Sequence, residues 1–206
     1  MSSEIRFESL SSLCSLMPRP QLVTGIVVSW LRQHFSQTPN IEDPKLEKTL
    51  WAADISKTGI VIDSVYRWQP ALTESRPGVF IKRGPWRVLR LGIDDRKMGS
   101  MPISGNRHYL TAYQGSHSIF CIAGAPAEAE ILAAEVFREL VQFGPLFRQT
   151  FKFLKFQVTD VGEVSLLEEA RENFVVPITL AYAADDAWEI APRVPILKHV
   201  RLSAFL

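Results

Sequence analysis

The chain has 206 residues, of which 47% are apolar and 22% are charged, and its formal net charge is +1. This composition is typical of one globular domain with a real hydrophobic core, and it excludes global disorder. A net charge so close to zero also argues against a dedicated nucleic-acid-binding protein, which would normally be strongly basic.

The two ends of the chain lack the patterning of its middle. Residues 1–18 are rich in serine and contain no continuous apolar segment, so they predict an N-terminal extension rather than a signal peptide. A single domain is expected over residues 19–190. Residues 191–206 are interrupted by prolines and contain few polar side chains, which predicts a C-terminal arm that lies against another surface.

Cysteine usage and hydropathy predict a cytosolic chain with no membrane partner. Cys14 and Cys121 are too few for a disulfide framework, and Cys121 is expected to be a small buried side chain because its neighbours are apolar. No apolar run approaches the roughly 18 residues that are needed to span a bilayer.

The first regular element is predicted to be a helix over residues 21–37. Apolar residues recur there at helical spacing, which indicates a face packed into the core. The apolar residues of this helix are Leu22, Val23, Ile26, Val27, Trp30, Leu31 and Phe35.

A strand is predicted over residues 59–68 from its period-two alternation.

Two hairpins are predicted next. The first has strands at 79–82 and 86–93 around a turn at Arg83-Gly84-Pro85, and the second has strands at 108–113 and 116–123 around Gln114-Gly115. Both faces of strand 86–93 mix charge with bulky side chains, so this strand is expected at an interface or an edge. The segment between the hairpins, residues 94–107, has no periodicity, and connections of this length are usually functional or disordered.

The longest helix is predicted over residues 126–144. Pro126 suits the first turn, and Gly144-Pro145 is expected to end the helix. Its predicted core-facing side chains are Ile131, Leu132, Val136, Phe137, Leu140 and Val141.

The remaining segments complete the prediction of fold class. Residues 153–161 and 174–182 alternate as strands, and the polar stretch 163–172 between them suggests a helical turn. Pro177 cannot donate to a strand ladder, so the last strand is expected at an edge or a bulge, where a neighbour could add a strand. The predicted fold is α+β: a mixed, mostly antiparallel sheet packed against two helices, in a single domain with terminal arms.

Charge is divided between two lobes. Residues 76–107 hold eight basic and two acidic residues, a net of +6, whereas residues 124–186 hold five basic and eleven acidic residues, a net of −6. Two interpretations remain open: two solvated faces, or complementary patches through which copies dock head to tail. The candidate interface residues are Arg83, Arg87, Arg90, Arg96, Lys97 and Arg107 in the basic lobe, Glu128, Glu135 and Glu139 in the acidic lobe, and Lys198 and Arg201 in the arm.

No catalytic or metal-binding constellation is visible in the sequence. His34 is interpreted as a histidine at a helix end rather than a general base, and Asp94-Asp95 as a solvated turn rather than a site for a hard cation. The sequence contains no nucleophile motif and no phosphate-binding glycine loop. We therefore expect a protein that is not an enzyme, with no catalytic residue, no metal and no cofactor.

Four segments in a fixed order carry a resemblance to a known family. They are RPGVFI at 76–81, SIFCIA at 118–123, AEAEILAAEV at 127–136 and EEARENFVVPI at 168–178, and an alternating strand followed by Trp188 closes the series. This order resembles the tail terminator (tail-completion) proteins of tailed bacteriophages, which are small α/β proteins of the phage neck. The resemblance covers about residues 58–190.

The resemblance implies a structural role in the virion. Proteins of this family form a ring, expected here to be a homo-hexamer, that caps the finished tail tube, ends its polymerisation and presents the surface for joining the head. The implied partners are further copies of the chain, the tail tube protein, head–tail connector proteins and the genomic DNA that passes through the ring. Assembly would take place in the host cytoplasm.

Two other functions remain open from the sequence. A head-completion or connector protein of the neck would share the small, ring-forming design. A basic-patch nucleic-acid-binding module would use residues 82–107, although the overall charge opposes it, and its binding would have to be strongly salt-dependent.

Overall fold

The computed structural model describes residues 20–73, 76–89, 99–100, 107–168 and 170–190. The predicted extension and arm lie outside the described residues, as do Arg90, Arg96, Lys97, Lys198 and Arg201. The helices are α1 (Pro20–His34), α2 (Pro70–Thr73) and α3 (Pro126–Phe151). The strands are β1 (Val61–Ser64), β2 (Gly78–Leu89), β3 (Gly99–Ser100), β4 (Arg107–Ala123), β5 (Lys155–Val161), β6 (Ser165–Leu167) and β7 (Ala170–Ile190).

All seven strands form one sheet in the order β1-β2-β4-β7-β5, with β3 paired to β4 and β6 paired to β7. The β1–β2 pair is parallel and the other pairs are antiparallel. The predicted fold class, a mixed and mostly antiparallel sheet with helices packed against it, is therefore confirmed.

The two long helices share one hydrophobic core with one face of the sheet. The predicted faces are buried in both helices, through Val23, Val27 and Leu31 in α1 and Leu132, Val136 and Leu140 in α3. The sheet contributes Val79, Ile81, Ile119, Cys121, Ile178 and Leu180. Burial confirms the prediction for Cys121 and raises the pKa of its thiol. Phe137 and Val141, predicted as core, are instead 40% and 49% exposed.

The other face of the sheet has a smaller core at one end. Val61, Phe80, Ile122 and Val175 cluster there. The segment after β1, predicted as a continuing strand, is a 3₁₀ turn over Val65–Arg67 and leads to α2, and its apolar side chains pack on this cluster.

Neither predicted hairpin is present, because each is a part of one long strand. In β2, Arg83 pairs with His117 and Trp86 pairs with Gly115, so Gly84 and Pro85 form a bulge instead of a turn. β4 continues through Gln114-Gly115 because β2 pairs with it on one side and β7 on the other. Pairing on both sides overrides the local preference for a turn.

The long helix α3 also passes its predicted end and continues through Pro145 to Phe151. The added turns are held by aromatic packing, since the Phe147 ring centroid lies 4.8 Å from those of both Trp30 and Phe156. The hydrogen bond that Pro145 cannot donate would go to the carbonyl of Val141, whose residue is exposed, so water can replace it.

Pro177 does not mark an edge, because β7 lies inside the sheet with β4 on one side and β5 and β6 on the other. The Pro177 carbonyl accepts a 2.8 Å hydrogen bond from Gly162 N, between the last β5 pair and the first β6 pair. The N and C=O of one strand residue point to the same side, so the missing N–H falls in this gap. The segment 175–182 of β7 is therefore occupied on both sides and is not the open edge that was predicted for strand addition. β6 lies where a helical turn was predicted.

Candidate functional site

Two of the predicted basic candidates, Arg83 and Arg87, lie on the second half of β2. β1 pairs only with Gly78–Ile81, so among the described residues β2 from Lys82 onward pairs with β4 alone. Lys82, Arg83 and Arg87 are exposed on this segment, and Arg107 is the first residue of β4. We call residues 82–89 the basic edge. Over 86–89, the part of the predicted strand 86–93 that the structure describes, pairing with β4 alone fits the expected edge strand.

Two large apolar side chains lie on the basic edge. Trp86 is 51% exposed and Val88 is 59% exposed. Trp86 pairs with Gly115 and Val88 with Tyr113, and the rings of Trp86 and Tyr113 meet edge to face at 5.7 Å. Because paired residues share a sheet face and Tyr113 belongs to the main core, Trp86 and Val88 lie on the face that carries the helices.

The opposite edge of the sheet, where β5 lies, has an apolar cleft with acidic side chains. A cavity of about 310 Å³ lies between α3 and residues 161–164. Its lining comprises Ala133, Ala134, Phe137, Val161, Gly162, Val164 and Val176, together with Glu130 and Glu163. We call this cavity the acidic cleft. Val161 is 44% exposed, Asp160 beside it is exposed, and Glu128 is half-buried in the first turn of α3.

The other two acidic candidates are part of a buried cluster between α1 and α3. His34, the last residue of α1, places Nε2 2.9 Å from Glu135 and Nδ1 3.0 Å from Glu139. Trp30 Nε1 donates to Glu139 at 2.6 Å. Arg138 donates to Glu135 at 2.6 Å and also pairs with Glu42. Glu135 and Glu139 are thus buried and bound to partners within the same chain. This corrects the prediction that they lie on a docking surface.

The electrostatics of the cluster favour a charged histidine. Burial lowers the pKa of His34, but the hydrogen bonds and charges of Glu139 and Glu135 together raise it by more than burial lowers it. The net shift of the pKa is therefore upward. Burial also raises the pKa of Glu135, against the opposing influence of His34. Each ring nitrogen faces a carboxylate oxygen, so the imidazolium form can donate twice. A histidine engaged on both nitrogens is not free to act as a general base.

Sequence reasoning missed both the cluster and the exposed apolar residues. His34 lies 101 positions from Glu135, so no spacing rule links them. For Phe137 and Val141 a signal was available, because they widen the apolar stripe of α3 beyond what one sheet face can cover. Among the described residues, no group of three or more His, Cys, Asp and Glu side chains could hold a metal ion. No helix in the described ranges is long and apolar enough to cross a membrane.

The described part of the chain is thus an α+β domain with two open sheet edges of different chemistry. No family model matches it, and no curated protein matches its sequence. Among solved structures it is similar to a chain in the virion of a native gene transfer agent particle, at 12% identity and a TM-score of 0.36. The match covers 76% of this chain and 95% of that chain. A likeness at this identity and score does not assign a function.

Proposed function

We propose that this protein is a structural component of a tailed-phage virion, namely a tail terminator that caps the tail tube as a ring. The observation that carries the proposal is the placement of the basic edge and the acidic cleft at opposite ends of one sheet. A ring of identical subunits needs two different, complementary patches on each subunit, and it closes when the rotation between neighbours suits. The resemblance of residues 58–190 to tail terminators supplies the identity of the ring.

The same geometry favours a role without catalysis. His34, Glu135 and Glu139 are engaged with one another across α1 and α3. The basic edge and the acidic cleft are suited to docking by their charge and exposed apolar side chains. We therefore propose assembly as the function, with tail tube protein, head–tail connector proteins and a DNA-filled lumen as the surroundings that the resemblance implies.

Electron microscopy of particles made without the gene tests this proposal. Overlong tails that remain unjoined beside filled heads are expected, because nothing would end tube polymerisation. Tails of normal length beside heads that have lost their DNA would transfer the protein to the head side of the neck, as a connector. Normal particles would overturn the virion role. Supplying the wild-type gene in trans should restore joined tails of normal length.

A further inference from the structure

The structure points to one specific contact between two copies of this chain: we propose that the basic edge of one copy docks against the acidic cleft of the next. In this contact Trp86 and Val88 cover the exposed apolar residues Phe137 and Val161. The inference deepens the proposed function by naming the surfaces that meet, and it rests on that function for its biological meaning. Its tests use purified protein and are separate from the tests on particles.

The apolar surfaces match in kind and size. Trp86 and Val88 project from the basic edge with more than half of each side chain exposed. The acidic cleft, at about 310 Å³, is at the lower end of the range of about 300–1,000 Å³ for pockets that enclose a ligand, which suits a single aromatic side chain. Tryptophan and arginine are also the residues that most often dominate the binding energy of protein interfaces.

The charges match in sign. The basic edge contains Lys82, Arg83 and Arg87 and no acidic residue. The acidic cleft is lined by Glu130 and Glu163 and by no basic residue. Opposite potentials select the partner and orient it as it approaches. Two basic edges facing each other would repel, so the charges favour a head-to-tail contact over a symmetric one.

The backbone direction also permits the contact. β2, β4, β7 and β5 follow one another in antiparallel pairs, so β5 runs antiparallel to β2. β5 has seven residues, and the basic edge spans residues 82–89 of β2. A neighbour's basic edge laid along the outer side of β5 would therefore extend the sheet with an antiparallel pair. This arrangement would also bring Trp86 close to α3.

Complementary defects provide the test. The edge variant carries Trp86→Ser and Arg87→Glu, and the cleft variant carries Phe137→Ser and Glu130→Gln, so the two defective surfaces do not attract each other. All four residues are exposed, so both variants should fold, and thermal unfolding should confirm this. In sedimentation velocity the wild-type chain should form oligomers, and each variant alone should associate at least about thirtyfold more weakly. A mixture of the two should form a dimer and nothing larger, because each copy retains one intact surface.

A control variant changes exposed residues that lie outside both surfaces. Leu146→Ser with Glu47→Gln makes the same kinds of change as the cleft variant, at exposed positions outside both surfaces, and should assemble like the wild type. A mixture that stays monomeric, variants that assemble like the wild type, or a wild-type chain that remains monomeric at every concentration reached would each overturn the contact. If the contact fails while gene disruption still yields overlong tails, the terminator proposal stands. If the mixed dimer forms while particles are normal, the contact stands and the virion role is wrong.

Discussion

The Nδ1 atom of His34 lies 3.0 Å from a carboxylate oxygen of Glu139, which joins the end of α1 to the middle of α3. The Nε2 atom of the same ring faces Glu135, so one histidine links the two long helices through two carboxylates. Arg138, Glu42 and Asp43 are further charged groups around the cluster. Because the cluster is buried, its protonation state contributes to the stability of the fold.

The first prediction concerns the pH dependence of stability. The pKa of His34 is raised above 6.5, so its stabilising contribution is complete below that pH and is lost as the pH rises through the raised pKa. The raised pKa of Glu135 changes stability with pH in the same direction as that of His34. The folded state keeps the Glu135 proton to a higher pH than the unfolded state, whose pKa is 4.5. The free energy of unfolding should therefore fall as the pH changes from mildly acidic to alkaline, as measured by urea denaturation.

The variant His34→Gln isolates this contribution. Removing the cation leaves the buried carboxylate of Glu139 without a charged partner and Glu135 with Arg138 alone, which should cost about 3–5 kcal/mol of stability below the raised pKa. The loss should shrink at alkaline pH, where the wild-type histidine is neutral as well. A variant whose stability runs parallel to that of the wild type at every pH would show that His34 is not the titrating group.

The second prediction concerns the packing of Gly115. A Cβ atom at this position would lie 2.5 Å from Cζ of Tyr182. The Tyr182 ring cannot move aside, because the rings of His117 and Phe153 flank it at 5.3 Å and 5.9 Å. Gly115→Ala should therefore lower the free energy of unfolding by about 1–3 kcal/mol. Stability equal to that of the wild type would mean that the strands part more easily than the structure indicates.

The third prediction also concerns a glycine-to-alanine substitution, but one that should raise the free energy of unfolding. Gly25 lies on the exposed side of α1, and a Cβ atom there would meet nothing within 4 Å. Gly25→Ala should stabilise the protein by about 0.5–1 kcal/mol, because alanine loses less conformational freedom in a helix. An upward shift of the thermal midpoint would support this. A downward shift would indicate that another chain or segment packs on this face.

The fourth prediction concerns the proline inside α3. Pro145→Ala would restore a backbone donor toward the Val141 carbonyl and should raise the free energy of unfolding by about 1–3 kcal/mol. Pro126→Ala is the matched control, since a proline in the first turn sacrifices no hydrogen bond and its replacement should change little. If Pro145→Ala destabilises the protein, packing of the proline ring outweighs the missing hydrogen bond.

The fifth prediction concerns the charges of the basic edge. Reversing Arg83 and Arg87 together to glutamate should weaken self-association, and reversing Glu130 and Glu163 to lysine in the same chain should restore it. Wild-type association should also weaken as salt is added, because exposed charges are screened within about 10 Å at 0.1 M ionic strength. Sedimentation velocity over a salt series measures both effects. Association that is unaffected by the reversal would remove electrostatics from the contact.

Local periodicity was sufficient to predict the layers of this protein. The helical spacing of Val23, Val27 and Leu31 identified the buried face of α1, and that of Leu132 and Val136 did so for α3. Mixed charge and bulk on β2 identified an exposed strand. Each of these features depends on residues that are only a few positions apart in the chain. The sequence alone is therefore enough to find them.

Only the tertiary structure decided where elements end and which charged groups meet. Gln114-Gly115 and Gly144-Pro145 carry turn and stop signals, yet strand pairing on two sides and aromatic packing on Phe147 carry the chain through them. Pro177 lies in an interior strand because its missing donor falls in the gap between β5 and β6. His34 and Glu135 meet across 101 positions, and such contacts arise from packing energies that no local pattern encodes.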